Sequence, residues 1–177
     1  MENVKEKIIY LLKETKREGI EKIIDALEKS DFFEAPASSQ YHGAYKGGLA
    51  EHSYMVYLIY NSLIKNSEKQ NNKINIQDDS IIITSILHDL CKIDNYQIIN
   101  NKYVSKLNYR GHSLITLNII KKFILLKNIE EEIIKFHMGI WGVSKEYDFQ
   151  ELKFSNRDRR VSMFHIADMI ATHIYNI

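Results

Sequence analysis

The sequence predicts an all-α fold, and three observations predict it. Glycine and proline are scarce in the 177 residues, at seven and one. Leucine, isoleucine, lysine and glutamate dominate, all compatible with helix interiors. Apolar residues recur at helical spacing through most of the chain, with one short β-prone interruption. A hydrophobic content of 45% over this length suits one domain with a real core, spanning residues 1–177.

Val4, Ile8, Ile9, Leu11 and Leu12 fall near one face of a first helix, and Ile20, Ile23, Ile24 and Leu27 near one face of a second. Together they form an N-terminal helix pair within residues 1–30, an accessory cap to the remaining residues, 31–175. The segment "FFEAPASSQYHGAYKGG" holds the only proline and four aromatic residues, which predicts an ordered loop that packs down. A long helix is expected from Gly48 to Lys65, then a polar surface loop, "NSEKQNNKINIQ". The acids and serine of "DDS" offer N-caps for a helix ending near His88. Two β-prone runs around Asn100-Asn101 predict a small hairpin near 96–106, because asparagine tolerates positive φ. Helices are expected again over Ser113–Leu126, Glu130–Met138 and Val161–Ile174, with a long connection before the last.

The formal net charge of +1 gives no global reason to expect a nucleic-acid or membrane surface as partner. No apolar run reaches the roughly 18 residues that a bilayer requires, and the charged N-terminus lacks a signal-peptide pattern. Cys91, the only cysteine, has no internal disulfide partner and suits a reducing compartment. The expectation is a cytoplasmic protein.

The chemistry-bearing residues are histidines and acids at helix ends. His52 begins the long helix; His88 and Asp89 close the next in "ILHDLCK"; His112 opens another after Gly111; His137 precedes Met138-Gly139; Asp168 lies inside the last helix. Each histidine alone reads as a hydrogen-bonded core residue, a helix-terminus charge or a ligand. Asp168 differs, because "FHIADMIATHI" is otherwise largely apolar and a buried carboxylate is costly unless paired or metal-bound. Imidazole nitrogen and carboxylate oxygen suit one divalent ion together.

The ordered series His52, His88-Asp89, Asp168 resembles the signature of the HD-domain metal-dependent phosphohydrolase superfamily, an all-helical bundle. "HGAYKGGLAEHS" is similar to the "HHAYxGGLLEHT" segment of the HD module of bacterial 3′–5′ exoribonucleases and related phage and bacterial proteins. "HDLCK", "GHS", "FHMG" and "FHIADMI" resemble that module's "HDIGK", "GHI", "HHG" and "LHxxDxL" in the same order. The resemblance implies that His52, His88, Asp89 and Asp168 bind a first metal. It implies that His112 and His137 bind a second, with Asp89 bridging, and that Lys92 contacts substrate phosphate. The implied cofactor is one or two divalent ions (Mn, Fe, Ni, Co, Zn or Mg). The chain departs from these segments at Gly43, Cys91 and Met138, and lacks the Ser-Pro that follows "HHG".

The expected activity is hydrolysis of a nucleotide or other small phosphoester by metal-activated water, with Asp89 and Lys92 catalytic. Arg110 is a second candidate phosphate clamp, against a reading as a solvated arginine. His42 is expected to line the pocket. His165 is a partner of the ligands or a satisfied core histidine, and His173 an ordinary surface or core residue. Glu51 either orients His52 or favours the helix start. Cys91 reads as packing rather than as a nucleophile. Trp141, Tyr147 and Phe149 either stack a nucleobase or pin a loop. Glu130–Glu132 reads as a solvated, dipole-complementing helix start. "NRDRR" reads as a solvated helix entry ahead of a phosphate site. A 3′–5′ exonuclease on single-stranded nucleic acid and a silent metal- or nucleotide-binding regulator are the alternative functions.

Overall fold

The computed structural model describes residues 3–70, 73–106, 111–139, 155 and 157–177. Arg110, Trp141, Tyr147, Phe149 and Asn156 lie outside the described residues. Seven α-helices and a two-stranded antiparallel hairpin are described: α1 (Val4–Glu14), α2 (Ile20–Lys29), α3 (Gly48–Lys69), α4 (Asp78–Leu87), β1 (Tyr96–Ile99), β2 (Lys102–Ser105), α5 (His112–Ile120), α6 (Asn128–Phe136) and α7 (Arg159–His173). The fold is mostly helical, as composition and periodicity predict. None of the described helices is long and apolar enough to cross a membrane.

The centre of the molecule is α4. Every residue from Ser80 to Leu87 is buried, so beyond its first turn this helix has no solvent face, as expected of a helix surrounded by others. It packs on α3, α1 and α6, while α3 also packs along α7. Ile8 and Leu12 of α1 and Ile20, Ile23, Ile24 and Leu27 of α2 share one hydrophobic cluster with Ile83, Ile86 and Leu87 of α4. The N-terminal helix pair therefore belongs to the main core. A second cluster joins α3, α6 and α7 through Val56, Tyr60, Ile133, Val161 and Phe164.

The hairpin pairs Ile99 with Lys102 across Asn100 and Asn101. Both asparagines are left-handed, at φ 51 and 58, which is the turn chemistry anticipated.

Several boundaries move. Helix α3 runs on to Lys69, four residues past the expected end, so the start of the polar "NSEK" run is helical. The N-cap of α4 is Gln77, which places Asp78 and Asp79 in the first turn, where they complement the helix dipole instead of capping it. Helix α5 ends at Ile120 rather than Leu126. There Lys122 N bonds to Ile119 O and Phe123 N to Ile120 O, the tight i→i−3 pattern that closes a helix. Helix α7 begins at Arg159, because the Asp158 side chain caps it by accepting from Arg160 N at 2.8 Å.

The largest correction concerns Glu130. It is fully buried rather than solvated, and holds the first turn of α6 to α4 and to the α1–α2 connection. Its carboxylate accepts from Arg17 Nη1 and Nη2 at 2.9 and 3.0 Å, from Ser80 Oγ at 2.7 Å and from Lys127 N at 2.8 Å. Asp79 sits alongside, receiving Arg17 at 2.8 Å and Lys127 Nζ at 2.8 Å.

The glycines ahead of α3 are used differently from one another. Gly47 takes φ +87, a left-handed turn. Gly48 is needed for space, because a Cβ there would lie 2.0 Å from the Gly43 carbonyl oxygen. Gly48→Ala is therefore expected to destabilise the fold by about 1–3 kcal/mol, the cost of an overpacked site. The check is the urea midpoint; an unchanged midpoint would show that the loop moves freely away.

Candidate metal centre

Five side chains from four elements meet at one end of the bundle. His52 comes from the start of α3, His88 and Asp89 from just past α4, His137 from just past α6, and Asp168 from α7. His52, His88 and His137 are essentially inaccessible, at 1%, 0% and 1% exposure. Two sets of three place one donor atom each within 4.8 Å of the others: His52, His88 and Asp168, and His88, Asp89 and His137.

Local chemistry fixes the rings. His88 and His137 are the C-cap residues of α4 and α6, with Nδ1 2.9 Å from Ser85 O and 2.7 Å from Ile134 O. In each case the ring satisfies a last-turn carbonyl that the helix leaves without a partner. His52 Nδ1 lies 2.9 Å from the main-chain oxygen of Ile177. A main-chain oxygen only accepts, so each of the three rings donates from Nδ1 and, when neutral, presents the Nε2 lone pair inward.

Those three Nε2 atoms and Asp89 Oδ1 have no hydrogen-bond partner among the described residues. They face carboxylates: His52 Nε2 is 3.2 Å from Asp168 Oδ1 and 3.9 Å from Asp89 Oδ2, His88 Nε2 is 3.3 Å from Asp89 Oδ2, and His137 Nε2 is 3.6 Å from Asp89 Oδ1. Buried lone pairs directed at buried carboxylates repel unless something positive stands between them. A proton would draw each pair to about 2.7–2.9 Å, the length of a charge-assisted hydrogen bond. Donors roughly 2.0–2.2 Å from a shared ion lie roughly 2.9–3.5 Å from each other. The observed separations fall in or just beyond that second range, so the residues present fit a metal ion.

Asp89 divides its two oxygens, Oδ2 toward His52 and His88 and Oδ1 toward His137. Burial alone would raise its pKa, but the Lys92 ammonium outweighs that and holds it well below the usual range. Lys92 is nearly buried, with Nζ 2.7 Å from Asp89 Oδ2. Burial opposes its charge, yet Asp89 raises its pKa, so the ammonium persists.

His112 is buried beside His137, with ring centroids 5.7 Å apart, and belongs to neither set of three. His42 packs on His52 at 5.2 Å between centroids. Burial and the charge of Lys92 push its pKa down to about 4, so it is neutral near pH 7. Cys91 is buried and its thiol is pushed up to about 12, first by burial and then by Asp89, which removes it as a nucleophile. Glu51 accepts from Tyr45 OH at 2.5 Å, tying the loop to the start of α3.

A cavity of about 800 Å³ opens beside His52, Asp89, Lys92 and Asp168. His42 lines it, as expected, and so do His165, Met169, Thr172 and His173. Of these, His165 reads from sequence as a partner of the ligands or a core histidine, and His173 as an ordinary surface or core residue; His173 is exposed and also borders the cavity. His165, Asp168, Met169 and Thr172 recur at helical spacing, a signal that could have marked this face of α7 in the sequence. His165 Nδ1 bonds to His137 O at 2.6 Å, and its ring lies against Gly139, where a Cβ would come within 2.8 Å.

Comparison with protein-family models, with curated proteins and with solved structures finds no match for this chain.

Proposed function

We propose that this protein is a divalent-metal-dependent phosphohydrolase acting on a small phosphoester, with a nucleotide as the first substrate to test. One observation carries the reading: three buried Nε2 lone pairs converge on two carboxylates at ligand-to-ligand distances. The ordered resemblance of the same residues to the HD-domain signature supports it independently.

His52, His88, Asp168 and Asp89 Oδ2 would hold a first ion. His88 has one inward lone pair and serves one ion only, so a second would rest on His137 and Asp89 Oδ1, with His112 beside them. Three imidazoles favour Mn, Fe, Co, Ni or Zn over Mg, which prefers an all-oxygen shell. A bound divalent ion lowers the pKa of water toward neutrality and polarises a phosphoryl oxygen.

The chain supplies the rest. The Nδ1 anchors hold the rings without rearrangement, and the ionised Asp89 and Asp168 set the charge of the pocket. Lys92 is the cation placed to meet a phosphoryl oxygen from the cavity side. Tied to Asp89 Oδ2, it also competes with an ion for that oxygen. Lys92→Met is therefore expected to tighten metal binding while lowering turnover about 10²–10³-fold, measured by calorimetry and steady-state kinetics. Weaker binding would mean that Lys92 organises the centre instead.

The deciding experiment is elemental analysis of purified protein, followed by a phosphoester panel of nucleoside monophosphates, nucleoside triphosphates, cyclic nucleotides and short oligonucleotides. Mn²⁺, Co²⁺, Ni²⁺, Zn²⁺ and Mg²⁺ are added in turn. Turnover of a small ester with a transition metal is the expected result. Metal uptake without turnover would favour a binding or regulatory protein, and oligonucleotide preference a nuclease. No metal uptake would end the reading.

A further inference from the structure

We propose that residues 174–177, the segment following α7, act as a strap that positions His52 as a metal ligand; this rests on the metal reading above. The need for a strap follows from where His52 sits. His88 and His137 lie at helix C-termini, where the last turn offers carbonyls without helical partners, and each ring bonds three residues back. His52 is the fifth residue of α3, and the carbonyls around it are engaged in the helix. Its Nδ1–H needs an acceptor from outside, or the ring loses both its orientation and its tautomer.

The strap supplies that acceptor across 125 residues of sequence, at 2.9 Å from Ile177 O. It is held in place at several points. Ile174 N and Tyr175 N both bond to Ile170 O, at 3.0 and 3.2 Å, and Ile177 N bonds to Ala171 O at 3.2 Å. Asn176 turns the chain with φ 58, and its carbonyl accepts from Gly43 N at 3.3 Å. Gly43 is left-handed at φ +54, and a Cβ there would lie 2.7 Å from Ala37 Cβ and 3.4 Å from the Ile177 carbonyl carbon. The left-handed φ and the close Ala37 Cβ favour glycine at that position, where the resembled segment has histidine. Asn176 also lines the cavity, so the strap forms part of its wall. Partners that orient a ligand histidine through its second nitrogen typically change metal affinity about 10–100-fold when removed.

The test uses the full chain, a chain ending at Ile174, Ile177→Ala and Asn176→Val. Valine disfavours the left-handed turn at this exposed position without shortening the chain. Long-range ¹H–¹⁵N spectra of the metal-free protein read the His52 ring, and calorimetry with Zn²⁺ or Mn²⁺ alone reads affinity. In the full chain and in Ile177→Ala, which keeps the main-chain oxygen, His52 is expected to carry its proton on Nδ1. In the shortened chain and in Asn176→Val, the ring is expected to exchange between tautomers, and affinity to fall about 10–100-fold with helical content unchanged. The proposal is overturned if either variant folds normally, keeps Nδ1 protonated and binds within twofold of the full chain. If the shortened chain does not fold, Asn176→Val decides on the same criteria. If the full chain takes up no metal, the metal reading fails and the ring spectra alone decide the strap.

Discussion

Alanine in place of Asp89 is expected to remove divalent-metal binding and to lower phosphoester hydrolysis about 10³-fold or more. Among the described residues, Asp89 is the one carboxylate that faces His52 and His88 with one oxygen and His137 with the other, and no other described side chain is placed to take over both directions. The substitution also leaves Lys92 nearly buried without its counter-ion, and breaking a buried pair from one side costs about 3–5 kcal/mol. Asp89→Asn separates the two effects. It keeps the shape and one oxygen acceptor for Lys92, so stability should partly recover while metal binding and hydrolysis stay lost. The pH dependence has a defined sign. Asp89 is held well below its ordinary pKa in the folded state. Its stabilising contribution is therefore complete above about 3.9, the unfolded carboxyl value, and disappears as the pH falls through the folded value. Hydrolysis by Asp89→Ala within tenfold of the parent would sink the mechanism.

What could be read in advance depended on whether the physics was local. The asparagines of the hairpin turn, the apolar faces of α1 and α2, and the helix-end positions of His88 and His137 are written in short stretches. The convergence of His52, His88-Asp89 and Asp168 is not local, and their order along the chain anticipated it only through the family resemblance. Glu130 shows why local reading fails. Three consecutive glutamates at a helix start look solvated, and nothing within several residues reveals that Arg17, 113 positions away, meets the first of them. The grip of Ile177 on His52 is equally remote. The early end of α5 has a similar cause: the turn after Ile120 brings the Phe123 carbonyl against Gly19, where any Cβ would lie 2.0 Å from it.

Removing the Arg17 guanidinium with Arg17→Met is expected to destabilise the fold by about 3–5 kcal/mol. Glu130 would be left fully buried, keeping Ser80 Oγ and the Lys127 amide but losing a two-pronged cation at 2.9 and 3.0 Å. For a chain of this size that is a fall in melting temperature of roughly 10 °C. A double-mutant cycle with Glu130→Gln isolates the pair, and Glu130→Gln should cost much less in the Arg17→Met background. The clamp also bears on the candidate metal centre. Ser80 and Glu130 sit in the first turns of α4 and α6, while His88 and His137 cap the far ends of the same helices. Each helix is about 15 Å long, with the clamp joining one pair of ends and Asp89 spanning the other. Loosening the clamp is expected to change how far His88 and His137 project past one another, so Arg17→Met should weaken metal binding several-fold even at temperatures where the chain remains folded. A stability loss with unchanged metal affinity would show that the centre holds its own register. A loss below about 0.5 kcal/mol would show that the buried carboxylate is satisfied without Arg17.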